Sequence, residues 1–110
     1  MAKPMKMRCK ISVDQDSPWM FRVKSTLFDG TPLSFKTEKG NIELSDPITE
    51  ESPSVDGWVH VTHVGQQHDL VLIVLPSPSL EFGKNVNVNE MVLMPLGVTI
   101  DRFNPTKVTD

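Results

Sequence analysis

Three histidines stand close together in this chain, His60, His63 and His68, and Asp69 follows the last of them. Imidazole is the commonest biological metal ligand, and a tetrahedral zinc needs three or four ligands converging at about 2.0–2.1 Å. On a β-strand, His60 and His63 would point to opposite faces, because three residues is an odd step. Without a bulge they could not chelate together. His63 and His68 flank a short connection over residues 64–67, so a twisted hairpin could bring His63, His68 and Asp69 together as ligands. The spacing matches no metal motif. It is read instead as one histidine at a turn and another partly buried with a hydrogen bond, and no cofactor is expected.

A second set of reactive groups is cationic. Residues 5–13 alternate Met5, Met7, Cys9, Ile11 and Val13 with Lys6, Arg8, Lys10 and Ser12. Trp19, Phe21, Val23 and Leu27 then alternate with Arg22, Lys24 and Thr26, and Lys36 lies within a third such stretch. If the apolar rows point inward, Lys6, Arg8, Lys10, Arg22, Lys24 and Lys36 share one outer sheet face. Neighbouring strands lie ~4.8 Å apart, so such crowding is repulsive unless acids or an anionic partner relieve it. A phosphate backbone is one such partner, with Phe28 or Met20 available for apolar contact. The acidic loop over residues 46–56 folding across the face is another. Tyrosine is absent and only 6% of residues are aromatic, which weakens any base-stacking platform.

Nucleophilic catalysis finds little support. There is no Gly-x-Ser-x-Gly elbow, and the single Cys9 sits inside an alternating segment, where it reads as a small core hydrophobe. The sequence-adjacent acids Glu50/Glu51 and the near pair Asp14/Asp16 fall in turn-like stretches, where carboxylates are solvated rather than tuned for acid–base work. Six scattered glycines form no phosphate cradle. An apolar surplus remains at Met91, Leu93 and Met94, read either as core filler or as a self-association or partner interface.

The elements that must hold these groups are short strands. Asp29-Gly30 favours a hairpin, and residues 33–37 form its returning strand. Residues 45–57 carry two prolines and four acids and read as a long loop, with Asp46-Pro47 able to start one helical turn. Residues 58–64 form a strand, Gly65-Gln66-Gln67 a turn, and the unbroken apolar run 70–75 a strand buried on both faces. Pro76-Ser77-Pro78-Ser79 ends that strand; Val86-Asn87-Val88, 91–96 and 98–100 supply further strands. No amphipathic helix is expected.

The chain is therefore expected to be all-β: a small OB-like barrel or a β-sandwich of about seven short antiparallel strands, with one domain over 1–103 and a frayed tail over 104–110. The early order is a three-strand meander, a long connection, then a hairpin.

At 110 residues with 38% hydrophobic and 23% charged residues, the chain has enough apolar content for one core, which excludes wholesale disorder. No run approaches the ~18 apolar residues of a membrane helix. The formal charge of −3 argues against a strongly basic nucleic-acid binder, yet it conceals a division. Residues 1–40 hold eight bases against four acids, and residues 41–110 hold three bases against ten acids. No secretory signal is read at the basic N-terminus, and a single cysteine suits a reducing interior, so the expected location is cytoplasmic. The leading functional expectation is a non-enzymatic domain acting through a protein partner or self-association, without a membrane. The alternative is weak single-stranded nucleic-acid binding through the basic face.

Overall fold

A computed structural model describes residues 2–96. The expected strand at 98–100 and the tail at 104–110 lie outside the described residues. The opening alternation forms β1 (Lys3–Val13). Its period of two sends Met5, Met7, Cys9 and Ile11 into the core, with Met7 and Ile11 fully buried. The chain continues through β2 (Met20–Thr26), β3 (Pro32–Glu38), β4 (Ile42–Leu44), β5 (Ser54–Gln67), β6 (Leu70–Ser79), β7 (Gly83–Asn89) and β8 (Leu93–Pro95). Two single 3-10 turns, Lys39–Asn41 and Glu90–Val92, are the only helical pieces among the described residues.

The eight strands of the described residues join one antiparallel sheet in the order β3-β2-β1-β5-β6-β7, with β4 beside β5 and β8 beside β1. The meander β1-β2-β3 is followed by a long return that lays β5 against the free side of β1, a Greek-key step. The sheet then curls on itself. The Ser77 hydroxyl of β6 donates to Thr37 Oγ1 of β3 at 3.2 Å, and the Phe28 amide, after β2, donates to the Asn87 carbonyl of β7 at 2.9 Å. The result is a barrel-like half-barrel rather than two packed sheets.

β1 and β5 form the spine, paired from Lys3↔His63 to Ser12↔Ser54. Each shares its outer edge between two partners. On β1, β2 covers residues 10–13 and β8 covers residues 5–7, and the Ser25 hydroxyl donates to the intervening Arg8 carbonyl at 3.1 Å. On β5, β4 covers residues 57–59 and β6 begins at Thr62. Gly57 makes the β4 contact possible: a Cβ there would overlap the Glu43 carbonyl oxygen and stand 2.7 Å from Ile11 Cδ1.

Four local expectations are corrected. The acidic loop spans only residues 45–53, because β5 starts at Ser54, where Ser54 and Val55 already pair with β1. Residues 65–67 belong to β5, and the reversal falls on His68, at φ 57°, and Asp69. β6 runs on through Pro76 and Pro78 to Ser79, but its register with β7 breaks between Val74 and Ser79. Two prolines remove two donors from that stretch, so it leaves the ladder and turns toward β3. Nor is the run 70–75 buried on both faces: Val71 and Ile73 are buried while Leu72 is exposed, as a single curled sheet covers only its inner face.

Candidate functional site

On the spine's outer face, β1 presents Lys6, Arg8 and Lys10 opposite His60, Trp58 and Asp56 of β5. β4 sets Glu43 beside Trp58 from the other side. The Glu43 carboxylate then bridges two strands: Oε1 lies 3.1 Å from Lys6 Nζ and Oε2 lies 2.9 Å from His60 Nε2. Burial pushes this carboxyl up, but the hydrogen bonds from His60 and Lys6 outweigh it and hold it below its ordinary value. The ammonium of Lys6 and the guanidinium of Arg8 stand 5.2 and 5.8 Å from the centre of the Trp58 ring, within cation–π range.

Lys6 departs from the expectation of an open cation: only 8% of the residue is exposed, because Glu43 and Trp58 close over it. Lys10 pairs with Asp56 at 2.8 Å. One rung further along β2, Arg22 lies opposite Lys36 of β3, and both reach the same acid. Asp14, 2% exposed at the end of β1, places Oδ1 3.3 Å from Arg22 Nη2 and Oδ2 3.3 Å from Lys36 Nζ, the second contact being an ion pair without hydrogen-bond geometry. Four of the six expected face residues thus carry an acidic partner, and among the described residues Arg8 and Lys24 carry none.

Of the acids expected from residues 46–56, only Asp56 neutralises a cation of the face. Glu43 comes from β4, Asp56 from β5 and Asp14 from the β1 end, whereas Asp46, Glu50 and Glu51 make no ion pair among the described residues. The loop is instead anchored by Ile48, which packs against the core, and it borders clefts near Lys10 and Arg22.

The histidines are separated. His60 faces Glu43 on the outer side, whereas His63 Nε2 meets Gln66 Oε1 at 3.1 Å and its Nδ1 is buried without a partner. A bulge does occur in β5, but it lies at Val64, beyond His63, and so does not unite His60 with His63. His68 occupies the turn, where its carbonyl accepts from Gln66 Nε2 at 2.9 Å, and the Asp69 carbonyl accepts from the Glu90 amide at 2.8 Å. His63, His68 and Asp69 are not gathered, and among the described residues no group of three His, Cys, Asp or Glu is placed to hold a metal ion. Cys9 is buried, its thiol donating to the Gly57 carbonyl at 3.6 Å; burial, with the nearby Asp56 charge, pushes its pKa up to about 12.

The apolar trio divides. Leu93 packs against the core and Met94 pairs beside Lys6, leaving Met91, 77% exposed, as the open member. A larger apolar feature lies elsewhere. Met20, Phe35, Pro78 and Leu80 line a groove of about 720 Å³ between β3 and the β6–β7 corner, where Leu80 is fully exposed. Trp19, expected inward, is 71% exposed because β2 starts only at Met20. Sequence reasoning missed Glu43, Trp58 and the Leu80 groove. Their partners lie far along the chain, and no local period marks them.

No helix among the described residues is long and apolar enough to cross a membrane. No family model, curated protein or solved structure matches this chain.

Proposed function

We propose that this is a non-enzymatic β-domain that works through protein contacts, seating an extended segment of its partner in the groove beside β3. One observation carries the reading: among the described residues β3 has a strand ladder only with β2, and its other side borders the groove lined by Phe35, Pro78 and Leu80. A strand edge presents unpaired amides and carbonyls that an incoming peptide can match, while a flanking pocket receives alternate side chains. β6 comes alongside β3 at Ser77 and Thr37 but forms no backbone ladder with it among the described residues, and Pro76 and Pro78 have no N–H to offer. The charged rim, Lys36 and Arg22 on one wall and Glu81 on the other, would orient a polar peptide. A cytoplasmic setting, in which the lone Cys9 stays reduced, suits this role.

The test combines light scattering after size exclusion with retention of partners from the native host. The natural chain is expected to self-associate or hold a partner, and Leu80→Asp is expected to abolish this without lowering the melting temperature. Met91→Asp, outside the groove, serves as the control and should leave binding intact. A strict monomer that retains nothing, or equal loss in both variants, sinks the reading.

A further inference from the structure

Two neighbouring rungs of the sheet carry like charges directly opposite one another, Lys10↔Lys24 between β1 and β2 and Arg22↔Lys36 between β2 and β3. Opposed like charges destabilise a strand pair. The fold relieves the two rungs unequally. At Arg22 and Lys36 a single buried acid, Asp14, contacts both cations. At the other rung Asp56 contacts Lys10 alone, and Lys24 stands exposed without an acid among the described residues. Next to Lys10 on the same face of β1, Arg8 is exposed, likewise without an acid, and its guanidinium lies over Trp58.

We infer that Arg8, over Trp58 on one side of β1, and Lys24, on β2 at its other side, form a binding site for single-stranded nucleic acid. The site is distinct from the β3 groove. An exposed guanidinium backed by an indole is a planar cationic platform on which a base can stack, and Lys24 on the adjoining strand supplies a phosphate contact. Same-face positions along β1 repeat at roughly 6–7 Å, which lets Lys10 meet a further phosphate once it exchanges Asp56 for the ligand. An acidic peptide would satisfy the charges but has no use for the Arg8–Trp58 stack, so the aromatic platform favours the nucleic acid.

The experiment uses the full chain carrying Trp19→Phe, so that Trp58 is the sole tryptophan reporter. Unlabelled oligo(dT) and oligo(U) are titrated at about 20 mM salt with Trp58 emission as readout, and labelled oligonucleotide anisotropy provides an independent one. Quenching of Trp58 is expected, with affinity falling about 25-fold over a tenfold rise in salt, the value for two phosphate contacts on a single strand. Arg8→Ser and Lys24→Ser should each weaken binding at least tenfold while circular dichroism stays unchanged. Lys84→Ser, an exposed cation on β7, should have no effect. Polyglutamate should neither quench Trp58 nor displace the oligonucleotide. The inference is overturned by unchanged anisotropy at low salt, by equal binding of polyglutamate, or by affinity that is indifferent to Arg8 and Lys24.

Discussion

Glu43 stands 3.1 Å from Lys6 across a gap of 37 residues in the chain, joining the short β4 to the first strand over the top of β5. The Lys6 side chain is 10% exposed and that of Glu43 is 42% exposed, so the carboxylate is the wetter partner of a nearly dry ammonium. A desolvated ammonium without its counter-charge is costly. Glu43→Gln, which keeps the shape, is expected to lower stability by about 1–3 kcal/mol in urea unfolding.

The same pair predicts an acid dependence. The folded-state carboxyl of Glu43 titrates below its ordinary value of 4.5, so its contribution is fully present above that pH and disappears as pH falls through the lower folded value. Urea midpoints should therefore decline more steeply as pH falls below 4.5 in the natural chain than in Glu43→Gln. Parallel declines would remove Glu43 from the acid response.

Asp14 gives a salt-dependent counterpart. With Asp14→Asn, Arg22 and Lys36 face each other without a carboxylate between them. Their side chains are 39% and 41% exposed, so water and salt screen part of the repulsion, and a loss near the lower end, about 1 kcal/mol, is expected at low ionic strength. Raising salt toward 1 M should recover part of it, because the Debye length contracts to about 3 Å. A deficit unaffected by salt would mean that hydrogen bonding, not charge, is what Asp14 contributes.

Gly57 is predicted to tolerate no side chain. The Ile11 methyl could shift from an added Cβ, but the Glu43 carbonyl is main chain held in the β4–β5 ladder. Gly57→Ala is expected to destabilise by about 1–3 kcal/mol and to weaken the Lys6–Glu43 pair, since both depend on how closely β4 lies on β5. Hydrogen exchange should show β4 amides opening in this variant while β6 and β7 stay protected.

Cys9 predicts behaviour at the alkaline end. Its ordinary value of 9.0 rises to about 12 in the fold, so above pH 9.0 the unfolded chain loses the thiol proton first. Stability is then expected to fall as pH climbs from about 9 toward 12, and Cys9→Ala should flatten that slope even though it removes a buried atom. In the folded protein at neutral pH the thiol should resist disulfide reagents until denaturant is added.

The first strand is legible because Met5, Met7, Cys9 and Ile11 alternate and are all buried, although the alternation overruns at Val13, which is 45% exposed. The sequence misleads at residues 70–75. Leu72 and Val74 lie toward the thinly covered side of a curled sheet, and an apolar side chain there looks identical in sequence to one in a core. Trp19 shows a third limit, as alternation carried one residue too far places an exposed indole inside. The Lys6–Glu43–His60 bridge depends on the register of β4 against β5, which no local pattern encodes. The basic face is visible as a row of cations, but which of them remain uncompensated emerges only once Asp14, Glu43 and Asp56 are brought in from the end of β1, from β4 and from β5.

The division of β1's outer edge between β2 and β8 also bears on how the chain is assembled during synthesis. β2 finds its place within a few residues of β1, but Met5–Met7 must wait for Leu93–Pro95. A ribosome adding about 5–20 residues per second leaves the start of β1 uncovered on that side for several seconds. During that interval a molecular chaperone has an accessible strand to hold, and two nascent chains on one message have a strand to exchange.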